Sequence, residues 1–352
     1  MSITKRNFGT FEGQDVDLYT LTNKNGMSVS IMTYGGAMVN ILTEDRNGKF
    51  ADVILGFDDV YGYINDDTYQ GALIGRYCNR IHQGKFSIDG VEYQLNVNEE
   101  NVSNHLHGGH KGYDKRLWNV LYTSDYNEPS ISLTLVDEDG MENYPGTVNV
   151  NVIYTLTEDN SIKIEYFATT DKPTPINLTN HSYFNLNGYD SGDILNHRAQ
   201  LYTDKFTPFN ENFCPTGEIA SVKGTAYDFT SPKAVADAVN DTEDEQIRIN
   251  LGVDNSFYYG RKGIMKHFAT LYAPESGRIL DTYSDQTAMQ FYCGNYLKGV
   301  PGKNGSKLGY RNSICLETQY TPNTPNNDWL PSCIVYPGET YHFTTIYKFS
   351  HD

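Results

Sequence analysis

The chain has 352 residues, enough for a large apolar core in one or two domains. Lys and Arg number 27 against 44 Asp and Glu, and the net charge of −17 argues against nucleic acid or an anionic membrane as a partner. Aromatic residues make up 13%, with 28 tyrosines against 2 tryptophans, a bias suited to half-buried strand faces and to surfaces that meet polar ligands.

The N-terminal stretch "MSITKRNFGTFEG" lacks the apolar segment of a signal peptide. No apolar run reaches the roughly 18 residues that a membrane span needs. In chain order, "FDDVYGYI" (residues 57–64) predicts a short helical turn. "KFSIDGVEYQLN" (residues 85–96) predicts a hairpin, because Asp89-Gly90 supplies the positive φ angles of a tight type I′ turn. Ile131, Leu133 and Leu135 alternate with polar neighbours, as do Val148, Val150, Val152 and Tyr154, then Ile162, Ile164 and Tyr166. That period of two predicts strands with one buried face. "SPKAVADAV" predicts a helix with Ser231 as N-cap and Pro232 at its first position. The acidic stretch from Asn240 to Gln246 reads as a solvated loop, and Tyr341, Phe343, Thr345, Tyr347 and Phe349 predict a closing strand. Strands without intervening helices of crossover length indicate an all-β fold, a large antiparallel β-sandwich forming a single domain over residues 1–352.

Five cysteines, Cys78, Cys214, Cys293, Cys315 and Cys333, are scattered and contain no C-x-x-C pair. They suggest neither a disulfide framework nor a zinc site, and a reducing cytoplasm is the expected location. His105 and His107 would share a strand face, but no third ligand stands near them in sequence, so no metal and no cofactor are expected. No glycine-rich phosphate loop and no G-x-S-x-G elbow occur.

Polar chemistry concentrates in five clusters. These are "GRYCNRI" (75–81), "NHLHGG" (104–109), "NLTNHSYFNL" (177–186), "GVDNSFYY" (252–259) and "CLETQYTPNTPN" (315–326). Each key residue also has a structural reading. His181 suits a satisfied buried imidazole, Arg80 an ion pair, Glu317 a turn cap, His107 a tight turn before two glycines, and Asp254 an Asx-turn. The functional reading is proton transfer on an uncharged, hydroxyl-rich molecule. Histidine near pKa 6.5 and glutamate near 4.3 can act as acid and base, while Asn, Arg, Asp and Gln supply the donors and acceptors that hydroxyls need.

At these clusters the chain resembles the aldose 1-epimerase (galactose mutarotase) family. The likeness runs nearly end to end, through "IGRYCNRI", "HLHGG", "GYDKRLWNV", "NYPGTVNVNVIYTL", "NLTNHSYFNLNG", "PTGEIASVKGTAYDF", "CLETQ" and "YPGETYHFTTIYKF". The resemblance implies a β-sandwich that interconverts the α and β anomers of free aldohexoses such as galactose and glucose by ring opening and reclosure, as a monomer or homodimer. It also implies that Glu317 is the general base and His181 the general acid, with the polar neighbours of His181 holding it and the sugar. His107, Asn79, Arg80, Asp254 and Gln290 match substrate-binding positions of the family. Two positions depart from it. Asn255 follows Asp254 where relatives often carry His or Trp, and is expected to border the pocket and affect hexose preference. Asn323 stands where Asp is common and is expected to be a turn residue.

Three rival readings follow other features. A hexose 6-phosphate epimerase needs an added basic cluster, which the sequence does not offer. A glycoside hydrolase needs two carboxylates, for which Glu317 and Asp254 are available, but it leaves the setting of His181 unexplained. A non-catalytic sugar sensor on the same fold would typically lack either His181 or Glu317, and both are present.

Overall fold

The computed structural model describes residues 1–352. Alternation in the sequence becomes alternation in burial: Val148, Val150, Val152 and Tyr154 point inward from strand Val148–Leu156, while Asn149 is exposed. Each fully buried Val, Leu or Ile side chain contributes about 1.5–3 kcal/mol relative to exposure, so this register is strongly specified.

The largest sheet has nine antiparallel strands. In spatial order they are Asn119–Ser124, Ser130–Asp137, Val148–Leu156, Ser161–Thr170, Tyr341–His351, Arg278–Ser284, Lys266–Tyr272, Arg198–Leu201 and Lys233–Ala234. The C-terminal strand therefore lies in the middle of the sheet, and Tyr341, Phe343, Thr345, Tyr347 and Phe349 all face inward as the sequence predicts. Two five-stranded antiparallel sheets complete the framework. One is an N-terminal meander from Ser2–Phe11 to Phe50–Asp52. The other has the order Ala220–Ser221, Lys205–Thr207, Asp254–Tyr258, Ala288–Tyr292, Cys315–Gln319. Inward residues of all three sheets, among them Ile31, Tyr154 and Phe291, share one apolar cluster, giving the expected antiparallel β-sandwich.

The predicted hairpin forms between Lys85–Ile88 and Val91–Gln94, with φ of 51° at Asp89 and 81° at Gly90. The turn at residues 57–64 is the helix Val60–Ile64, whose N-cap Asp59 accepts a bond from the Gly62 N–H at 3.1 Å. The helix expected from Ser231 starts later, at Val235. Its predicted first turn is consumed by sheet pairing, because Lys233 and Ala234 pair with Ala199 and Arg198 at the edge of the large sheet. Tertiary hydrogen bonding there overrides a local capping signal. No helix is long and apolar enough to cross a membrane, and all five cysteines are free and buried.

Candidate active site

Three strands of the second five-stranded sheet carry half of the site. Ala288–Tyr292 lies between Asp254–Tyr258 and Cys315–Gln319, with Gln290 opposite Glu317 and Tyr292 opposite both Asp254 and Cys315. Because side chains alternate, Asp254, Gln290, Tyr292, Cys315 and Glu317 share one face. Asn255, Phe291 and Leu316 occupy the other face, toward the core. Asn255 therefore does not border the pocket, contrary to the sequence expectation. It is fully buried and bonded to Asn250 Nδ2 at 2.8 Å and Gln246 Oε1 at 3.0 Å. Asn323 is the turn residue expected, with φ of 59° and its Oδ1 accepting from the His82 N–H at 3.1 Å.

The other half comes from the pairing of Arg80–His82 with Asn104–Leu106 and the turn that follows. His107 has φ of 52°, and a side chain on Gly108 would sit 1.9 Å from the Gly75 carbonyl oxygen, so only glycine fits after this histidine. The resulting turn brings Nδ1 of His107 to 3.1 Å from the backbone nitrogen of Asn79, whose N–H donates to it. His181 follows the two-residue strand Thr179–Asn180, which pairs with Leu73–Ile74. Its asparagine and serine neighbours are tied up within the fold, while Tyr183 lines the cavity. Asn177 Nδ2 donates to the Cys78 carbonyl at 3.1 Å and Asn180 Nδ2 to the Gly71 carbonyl at 2.7 Å, while Ser182 donates to Asn180. They hold the loop carrying His181, and of the polar neighbours expected to hold the sugar only Tyr183 reaches the cavity wall.

Asn79, Arg80, His107, His181, Asp254, Gln290 and Glu317 all line one cavity of about 300 Å³. That volume lies at the small end of ligand sites, which span about 300–1,000 Å³. Tyr69, Tyr183, Tyr292, Tyr296 and Phe213 complete the wall. Tyr183 belongs to the His181 motif, whereas nothing local distinguishes the other four among the many aromatic residues of the sequence. Tyr183 stacks on His181 at 4.9 Å between ring centroids and Tyr69 lies 5.9 Å away on a similar plane, so the imidazole is held between two phenol rings. Arg80 is fixed by Glu99 through Nε at 2.9 Å and Nη2 at 2.9 Å, and packs over Phe213. The sequence reading also missed Glu99.

Nε2 of His181 stands 3.6 Å from Oε1 of Glu317, both side chains being almost fully buried. The other Glu317 oxygen has no hydrogen-bond partner, and neither has Oε1 of Gln290. Both atoms are buried in residues that line the cavity, and unsatisfied buried acceptors there are open to a hydrogen-bond donor. Burial pushes the Glu317 carboxyl well above its ordinary range, helped by Asp254 and opposed by Arg80. Burial likewise lowers His181 to about 4, and lowers His107 well below its usual value with help from the neighbouring His181 and Arg80 charges. Asp254, raised to about 6 by burial, accepts from Gln290 Nε2 at 2.7 Å. Burial thus biases both His181 and Glu317 toward their neutral forms, against a standing ion pair.

Donor atoms of His107, His181 and Glu317 lie within 4.8 Å of one another, a spacing that invites a metal ion. The Asn79 N–H opposes this. It occupies the Nδ1 lone pair of His107, so the neutral ring must carry its proton on Nε2, where it is a hydrogen-bond donor and not a ligand.

A carboxyl and an imidazole 3.6 Å apart in a small polar, aromatic-walled cavity give this β-sandwich a site with the groups that proton transfer needs. The comparisons agree. The family model for aldose 1-epimerase matches residues 17–348. Galactose mutarotase from Bos taurus is 38% identical over 99% of both chains, and aldose 1-epimerase from Escherichia coli (strain K12) is 35% identical over 96% of both. The crystal structure of galactose 1-epimerase from Lactobacillus acidophilus NCFM superposes with a TM-score of 0.87 at 27% identity, covering 99% of both chains. The chain belongs to the aldose 1-epimerase family.

Proposed function

We propose that this chain interconverts the α and β anomers of free aldohexoses, galactose and glucose among them, with Glu317 as general base and His181 as general acid. The observation that carries the reading is the 3.6 Å His181–Glu317 contact beside an unpartnered Glu317 oxygen. In the reactive form the proton shared by this pair sits on His181 and Glu317 is ionised. Its carboxylate takes the proton of the anomeric hydroxyl while Nε2 of His181 gives one to the ring oxygen. The C1–O5 bond breaks, the open aldehyde rotates about C1–C2, and O5 adds back to the opposite carbonyl face as both protons return.

His107 donates Nε2–H to the sugar near the ring oxygen and cannot serve as the acid, because its Nδ1 already accepts the Asn79 N–H and cannot take a second proton. Arg80, with Asn79, donates to hydroxyls, and Asp254 with Gln290 accepts from those farthest from C1. Two proton-transfer groups, worth about 10²–10⁴ each, are sufficient for a reaction that already proceeds in water. The chain acts as a single domain in the cytoplasm, as a monomer or homodimer without nucleic acid or membrane partners, a reading supported by its acidic charge and reduced cysteines.

Polarimetry on freshly dissolved α-D-galactose tests this, with wild type and Glu317→Gln measured side by side. Accelerated decay of rotation by wild type alone is expected. If both match the buffer rate while calorimetry shows galactose binding, the chain is a sugar sensor and the catalytic reading fails.

A further inference from the structure

Besides Glu317, the imidazole of His181 has two polar neighbours, its own backbone and a cysteine sulfur. Sγ of Cys315 is 3.7 Å from Nδ1 of His181, within reach of a hydrogen bond to sulfur. Cys315 is fully buried, and it precedes Glu317 by two residues on one strand, so the two side chains share a face and meet opposite nitrogens of the same ring. Tyr183 and Tyr69 pack against the ring, and the sulfur adds a polar contact at its Nδ1 edge.

We propose that Cys315 is a positioning residue for the reaction: its sulfur accepts the Nδ1–H of His181 and thereby keeps Nε2 as the atom that takes and gives the proton. The inference rests on the assignment of His181 as the acid. A neutral imidazole carries one proton. If that proton were on Nε2, the ring could not accept the Glu317 proton across the 3.6 Å gap, and the dyad would be inert. With the proton on Nδ1, Nε2 presents its lone pair to Glu317 and the shuttle is open. The two histidines are thus held in opposite tautomers, His107 by a backbone donor at Nδ1 and His181 by a sulfur acceptor.

The choice of sulfur has a chemical consequence. A carboxylate at this place, as in a hydrolase triad, stabilises the imidazolium. A neutral thiol is a weak acceptor. Burial, together with the nearby Glu317 and Asp254 carboxyls, keeps Cys315 a thiol. The imidazolium of His181 therefore remains a strong acid, ready to protonate a weakly basic ring oxygen.

The experiment is ¹⁵N NMR of histidine-labelled protein without sugar, paired with polarimetric kcat and KM, on wild type, Cys315→Ala, Cys315→Ser and His181→Asn. Wild type and Cys315→Ser should show His181 with Nδ1 protonated and Nε2 bare, and Cys315→Ala should shift the population toward Nε2–H. Orienting groups that set a catalytic tautomer can be worth up to about 10⁴ when charged, so the loss for a neutral thiol is expected near tenfold in kcat with KM little changed. Recovery of kcat in Cys315→Ser would separate positioning from packing, since both variants remove the sulfur. An unchanged His181 spectrum and kcat in Cys315→Ala would overturn the inference, as would a spectrum showing Nε2–H in wild type. Full turnover by His181→Asn would instead overturn the acid assignment on which it rests.

Discussion

The backbone N–H of Asn79 donates to Nδ1 of His107 at 3.1 Å, and this bond gives the two histidines of the site different chemistry. His107 is locked as an Nε2–H donor, able to bind a sugar oxygen but unable to cycle a proton. Nδ1 of His181 meets the Cys315 sulfur instead of a backbone N–H. The same bond denies a metal ion one of its three candidate ligands.

Zn²⁺ in large molar excess should therefore leave mutarotation unchanged at neutral pH, and prior dialysis against a chelator should do likewise. Polarimetry with and without the ion is the check. Stoichiometric inhibition by Zn²⁺ would mean that His107 exchanges its tautomer freely and that the Asn79 contact is weaker than its geometry implies.

Replacing His181 by Asn should lower kcat by about 10²–10⁴, the usual worth of a general acid, with a modest change in KM. His107→Asn keeps a donor near the ring oxygen and should lose less in kcat and more in KM. The two variants are best compared by initial rates over a galactose concentration series. Comparable kcat losses in both would break the distinction between acid and binding donor.

The pH dependence follows from the shared proton. Below about 4, His181 gains a proton while Glu317 is already protonated, so no base remains. Above the raised value of Glu317 the dyad loses its one proton and no acid remains. A plot of kcat/KM should thus be bell-shaped, its acid limb near pH 4 and its alkaline limb well above the ordinary carboxyl range. Glu317→Gln should abolish the alkaline limb in the residual rate.

Glu317 also costs stability, and the sign can be worked out. Its folded value lies above its unfolded value, so the unfolded chain gives up this proton first. Wild-type stability therefore falls as pH rises from about 4.5 through the folded value. Glu317→Gln lacks this slope and removes an unpartnered buried oxygen. It should melt higher than wild type, with a wider gap at pH 8 than at pH 5. Each unit of elevation is worth about 1.4 kcal/mol, or about 2 °C for a chain of this length given roughly 2 cal/mol/K of unfolding entropy per residue. A constant gap across that range, read by calorimetry, would contradict the raised carboxyl.

Glu99 should matter to binding without touching the reacting atoms. Burial works against the charge of Arg80, and Glu99 with Asp254 more than offsets it while Glu99 aligns the guanidinium through two nitrogens. Charged hydrogen bonds are worth about 1.5–3 kcal/mol, so Glu99→Ala should raise KM by about tenfold or more with kcat little affected. A kcat loss equal to that of His181→Asn would place Glu99 in the chemistry.

Much of this protein was determined by its sequence alone, for a physical reason: period-two alternation and turn chemistry act over neighbouring residues. Val148 to Tyr154, the Asp89-Gly90 hairpin and the inward run from Tyr341 to Phe349 are readable because each rests on residues adjacent in the chain. The polar clusters around Asn79, His107, His181, Asp254 and Glu317 were legible as motifs in the same way. What only tertiary structure decided involves partners far apart in sequence. Sheet pairing of Lys233 and Ala234 with the strand at Arg198 delayed a helix that its cap signal started at Ser231. Strand register turned Asn255 away from the pocket while Asp254 faces it. The asparagines around His181 went to backbone carbonyls, because a buried loop must satisfy its own polar groups before any ligand arrives. The tautomer of His107 is set by an amide 28 residues away in sequence, and the contact that poises His181 spans 134 residues to Cys315. A proton's position depends on which atom stands within about 3–4 Å, and only the folded chain fixes that distance.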